Sequence, residues 1–124
     1  IIEPRHVSLL NSMMSEVIQS GTGRKASLGR PAYGKTGTSQ GFRDAWFIGY
    51  TPEVIAGVWI GNDNESPMKN VTGGGLPAVM WKKIMTEALQ RRTIKNKPII
   101  ARPKQVFKQK SFFNNFISNI ISPN

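Results

Sequence analysis

One ammonium, three alcohols and two glycines occupy six consecutive positions, Gly34-Lys35-Thr36-Gly37-Thr38-Ser39. Threonine at alternate positions favours an extended strand. The glycine between them leaves no side chain to block something lying alongside. A lone lysine between small residues is a poor core residue and a good contact for an anion. Residues Lys35–Ser39 therefore read as one wall of a cleft, and the rest of the chain as what holds that wall in place.

Two other chemistries are spelled nearby. Gly29-Arg30-Pro31-Ala32-Tyr33-Gly34-Lys35-Thr36 fits the phosphate-cradling pattern G-x-x-x-x-G-K-[ST]. That pattern works where a buried strand feeds a loop of free N–H groups and a helix follows. Here Arg24–Leu28 is not a buried strand, Pro31 removes one N–H, and Gly37-Thr38-Ser39-Gln40-Gly41 is a bad helix start. Ser66-Pro67-Met68-Lys69 fits S-x-x-K, a serine nucleophile pattern, but in a polar stretch with proline inside it. His6 is the chain's single imidazole, and there is no cysteine, so no metal site and no disulfide are expected.

The elements that must position the wall follow from periodicity. Pro4 to about Gln19 predicts a helix, with Val7, Leu10, Met14, Val17 and Ile18 on one stripe and Leu9 and Met13 beside it. Pro4 suits its start and Gly21 its stop. Thr22–Pro31 is a basic connection whose Arg24, Lys25 and Arg30 read as solvated or as contacts for an anion. Tyr33–Ser39 is a strand. Asp44–Tyr50, the turn Thr51-Pro52-Glu53 and Val54–Gly61 form an antiparallel hairpin. Both hairpin strands are apolar at nearly every position, which predicts cover on both faces, by the helix before and the helix after. Asp44 beside Arg43 reads as an ion pair or turn residue. Asn62–Gly75 is a polar loop. Leu76 to about Arg91 predicts a second helix, with Trp81 in the core. The fold class expected is α+β, an antiparallel sheet flanked by helices.

The chain has 124 residues and a formal charge of +10. That charge is unevenly placed. Residues 1–90 hold nine Lys/Arg and all seven Asp/Glu, for +2; residues 91–124 hold eight Lys/Arg and no acid, for +8. A near-neutral folded part argues against a nucleic-acid face. The organisation expected is a folded part over residues 1–91 and a basic tail over 92–124. In the tail, Phe112, Phe113, Phe116, Ile117, Ile120 and Ile121 recur at helical spacing behind a lysine-rich run. Such a segment could rest on an anionic membrane surface or dock on its own domain. No run approaches the ~18–20 apolar residues of a membrane span. The absence of an initial Met suggests a piece of something longer.

The triplet K-T-G accompanies S-x-x-K and a Ser/Asn motif in penicillin-binding proteins and class A β-lactamases. Here it stands in a longer order: Gly34–Ser39, then Arg43-Asp44-Ala45-Trp46-Phe47-Ile48-Gly49-Tyr50-Thr51-Pro52, then Ala56-Gly57-Val58-Trp59-Ile60-Gly61, then Thr72-Gly73-Gly74-Gly75-Leu76-Pro77-Ala78. These four blocks resemble the C-terminal end of the transpeptidase domain of class A, bifunctional penicillin-binding proteins. The likeness covers about residues 4–90; the tail matches no pattern.

The resemblance implies a serine acyltransferase that cross-links peptidoglycan through D-Ala-D-Ala stem peptides and is trapped by β-lactam antibiotics. It implies the bacterial cell envelope, at the outer (periplasmic) face of the cytoplasmic membrane, anchored by a segment not present here. No cofactor is implied. Carried over residue by residue, Lys35 puts charge beside the substrate carboxylate. Thr36 and Thr38 hydroxyls donate to that carboxylate, and Ser39 adjoins them. Gly37 admits the substrate backbone, and the Thr38 N–H is one of two oxyanion-hole donors. Gly73 and Gly74 either border the cleft or form a tight turn. In the family S-x-x-K lies far upstream of K-T-G, so Ser66 is not the nucleophile, and Ser122-Pro123-Asn124 matches the Ser/Asn motif only in spelling. The implied partner is thus the upstream part of the same domain. Two other functions compete: a non-catalytic module holding anionic wall polymer or lipid, and a nucleotide binder.

Overall fold

A computed structural model of the chain describes residues 2–95. The tail expected over 92–124, its Phe112–Ile121 segment and its membrane contact fall outside the described residues from residue 96 onward.

Helix α1 spans Pro4–Gln19. Pro4 sits at its start, where a missing N–H costs nothing, and Glu3 precedes it without a side-chain cap. At the other end the Ser20 and Gly21 N–H groups both donate to the Glu16 carbonyl. A 3₁₀ turn, Arg24–Ala26, leads to strand β1, Tyr33–Thr38. Strands β2 (Asp44–Tyr50) and β3 (Ile55–Gly61) complete an antiparallel sheet in the order β1-β2-β3. Helix α2, Leu76–Lys95, closes the described part. It runs four residues past the expected Arg91 stop, because no breaker intervenes before Pro98 and Thr93 Oγ1 still donates to the Leu89 carbonyl at 3.0 Å.

Register sorts every side chain. Thr36 faces Phe47, which faces Val58; Lys35 faces Ile48, which faces Gly57; Gly37 faces Trp46, which faces Trp59. One face of the sheet therefore holds Thr36, Thr38, Ala45, Phe47, Val58 and Ile60, and the other holds Lys35, Gly37, Trp46, Ile48, Trp59 and Ile55. The first face is the core. Phe47, Trp81 and Met85 are fully buried there with Ile18, Ala26, Ala32, Val58 and Ala78. The Phe47 and Trp81 rings meet at 5.1 Å and 60°. Burying each such side chain contributes on the order of 2–3 kcal/mol. The Trp81 Nε1–H is satisfied by the Ala56 carbonyl at 3.0 Å and the Gly49 carbonyl at 3.3 Å.

Two expectations fail for one reason. The hairpin was expected to be covered on both faces, but Ile18 of α1 and Trp81 of α2 pack in the same core cluster, on the same face. Trp46, Ile48 and Trp59 on the other face remain 44–45% exposed and Ile55 72%. The α1 stripe was expected in the core, but only Ile18 is buried; Val7, Leu9, Leu10 and Met13 are exposed. The apolar pattern is correct in both places; among the described residues, nothing lies opposite it.

Candidate active site

Strand β1 is an edge, and the ladder decides which of its groups look outward. The Ser39 N–H donates to the Asp44 carbonyl at 2.9 Å. In an antiparallel pair the pattern repeats every second residue, so Gly37 and Lys35 also turn their main-chain groups to β2. The N–H and C=O groups of Thr36 and Thr38 point to the free edge. That edge thus offers an acceptor and donors spaced to pair with an extended peptide.

Side chains flank the edge from both faces. Lys35 is exposed on the open face, and its Nζ folds back to donate to the Thr36 carbonyl at 2.8 Å. Thr36 and Thr38 stand on the core face, where the polypeptide supports them from behind. The Gly73 N–H donates to Thr38 Oγ1 at 3.0 Å. Thr22 Oγ1 lies 2.8 Å from Thr36 Oγ1. Glycine is required at the turn that does this. A Cβ on Gly73 would lie 2.2 Å from the Trp46 carbonyl oxygen and 2.5 Å from that of Gly37. One on Gly74 would lie 2.1 Å from the Thr22 carbonyl oxygen. The turn that ends in α2 therefore rests directly on the backbone of β1 and β2. Gly73 and Gly74, left open between cleft and turn by the sequence, are both at once.

The remaining candidates divide. Ser39 adjoins the others, but its Oγ already accepts the Asp44 N–H at 2.7 Å, closing the β1–β2 connection. Gly37 opens toward Trp46, whose Cβ would be 3.3 Å from a Cβ added there. Asp44 does not pair with Arg43: its Oδ1 accepts the Trp59 indole N–H at 3.0 Å, while Arg43 donates to the Glu65 carbonyl. Arg30 is taken by Glu53 at 2.5 Å. Arg24 and Lys25 are exposed. Ser66 lies in a loop, its hydroxyl 3.0 Å from the Asn62 amide nitrogen. Thr22 was missed. Its signal, a hydroxyl between Gly21 and Gly23, was visible, but nothing in the sequence told which strand it would meet.

The phosphate-loop reading is overturned. Lys35 lies mid-strand, its N–H directed at β2, and only a 3₁₀ turn, Gln40–Phe42, follows. Among the described residues no cluster of His, Cys, Asp or Glu could hold a metal, and no helix is long and apolar enough to cross a membrane.

This edge, with its K-T-G wall, hairpin and glycine turn, matches a known sequence family. The family described as "Penicillin binding protein transpeptidase domain" matches residues 1–86. The chain belongs to this family. As a transpeptidase-domain segment it is 42% identical over 94 residues to "Penicillin-binding protein 1A" of Neisseria lactamica, covering 73% of this chain and 12% of that one. The protein of the same name from Neisseria meningitidis serogroup A is 41% identical over 92 residues, covering 72% of this chain and 12% of its own length. That of Aquifex aeolicus is 41% identical over 71 residues, 56% of this chain and 10% of its own. The segment thus spans about an eighth of the curated relatives it matches.

Proposed function

We propose that this chain supplies the substrate-gripping wall of a peptidoglycan D,D-transpeptidase, a serine acyltransferase that acts on D-Ala-D-Ala stem peptides and is acylated by β-lactams. The observation that carries the reading is the free edge of β1, with Lys35 on one side and two threonine hydroxyls on the other. An extended stem peptide pairs with the outward N–H and C=O groups of Thr36 and Thr38. Its terminal carboxylate takes the Thr36 and Thr38 hydroxyl protons and the field of Lys35. The Thr38 N–H then points at the carbonyl oxygen that becomes an oxyanion, where such a donor is worth on the order of a hundredfold or more in rate.

The nucleophile comes from elsewhere in the parent protein. The open face beside Lys35, with Trp46 and Trp59 6.3 Å apart and exposed, is an apolar patch of the kind that receives another part of a protein. We assign it to the upstream part of the same domain, which brings the serine to the Lys35 side of the edge. The setting is the bacterial envelope, outside the cytoplasmic membrane. No observation favours a non-catalytic wall-binding module.

Lys35→Ala in the parent protein tests the reading. Removing a charge-assisted contact to a carboxylate should slow D-Ala release from a stem pentapeptide by on the order of a hundredfold, with the thermal midpoint retained. An unchanged rate would refute it.

A further inference from the structure

Both threonine hydroxyls of the wall are held from behind by groups outside the K-T-G stretch. Behind Thr38 the support is an N–H, which can only donate, so the Thr38 hydroxyl accepts and its own proton is left for a ligand. Behind Thr36 the support is the Thr22 hydroxyl, at 2.8 Å, and either oxygen could be the donor. A carboxylate settles the direction. It has only acceptors, so Thr36 must give it the proton and must itself accept from Thr22. The carbonyl of Thr22 is pressed against Gly74, where even a Cβ would not fit, so the loop that presents this hydroxyl is fixed by the same turn that presents the Gly73 N–H.

We infer that Thr22 is a positioning residue for carboxylate recognition: its hydroxyl donates to Thr36 Oγ1 and turns the Thr36 proton toward the substrate's terminal acid. The inference rests on the transpeptidase reading above. It adds a residue one loop away from the motif, in the connection between α1 and β1. The Gly73 donor is main chain and survives any substitution, whereas the Thr22 donor can be removed with almost no change in shape.

The test uses the parent protein with Thr22→Val and Thr22→Ser, and follows acylation by penicillin G and by its neutral methyl ester. Thr22→Val should slow acylation by penicillin G by about tenfold, the loss expected when a hydrogen bond to a charged group is weakened. It should leave the ester's rate unchanged, and Thr22→Ser should restore the penicillin G rate. In a Thr36→Val background Thr22→Val should have no further effect. Equal slowing of acid and ester would mark a structural role only and overturn the inference. So would a normal penicillin G rate, or slowing that persists without the Thr36 hydroxyl. Wild-type protein that reacts with neither compound would remove the transpeptidase reading itself, and the inference with it.

Discussion

Lys35 and Thr36 are neighbours in sequence and lie on opposite faces of the sheet. They can serve one ligand only because β1 is an edge, where both faces meet the same open row of main-chain groups. Position on the sheet, more than residue type, makes K-T-G a binding device; in a central strand the same residues would be separated by a neighbour. A second residue-scale feature steadies the approach to this edge. Glu53, in the β2–β3 turn, takes Arg30 from the connection before β1, and its main-chain carbonyl takes Arg92 from α2. The Thr51 hydroxyl, and then Arg30, hold the Glu53 carboxyl below the usual glutamate range. A lowered folded value means the contribution is present above the unfolded pKa and is lost as pH falls through the folded one. Both partners are partly exposed, so the effect on stability is small. A carboxyl titration by NMR should place the Glu53 midpoint low, and Arg30→Ala should raise it; an unchanged midpoint would remove Arg30 as a cause.

At the scale of elements, the sheet is registered by what Trp81 does. Its ring fills the space beside Phe47, and its N–H reaches the Gly49 and Ala56 carbonyls of adjacent strands. A Cβ on Gly49 would lie 2.8 Å from the Trp81 ring, so that strand position and α2 fit each other without slack. Trp81→Phe keeps most of the apolar surface and loses the hydrogen bonds, which should cost about 1–2 kcal/mol in urea unfolding followed by circular dichroism. Trp81→Ala should cost roughly 3–5 kcal/mol. Equal costs would mean that the N–H contributes nothing. The elements themselves were legible in the sequence. The start of α1 at Pro4, the bounds Asp44–Tyr50 and the start of α2 at Leu76 follow from periodicity and turn residues. What could not be read was which face each element would bury. Trp46, Ile48, Leu9 and Met13 are written as core residues, and a hydrophobic pattern records that cover is wanted without saying whether this stretch supplies it. The site was legible as far as Lys35–Ser39. Thr22 and Gly73 were not, because their roles come from contacts across 14 and 35 positions of chain, which no local pattern encodes.

At the scale of the whole molecule, the described part is one half of a site. It has a core on one face, an apolar face with two tryptophans left open, and a strand edge that offers hydrogen bonds. Among the described residues the only match to a serine nucleophile pattern, at Ser66, lies in a loop with its hydroxyl against Asn62. The central claim is that these residues grip and polarise the substrate while a serine outside them attacks. Mass mapping of the penicillin adduct tests this most directly, on the parent protein and on the 124-residue chain alone. The account predicts one acylated serine in the parent, outside this segment, and no covalent adduct on the isolated chain. An adduct on Ser39, Ser66 or any other residue of the chain would contradict it.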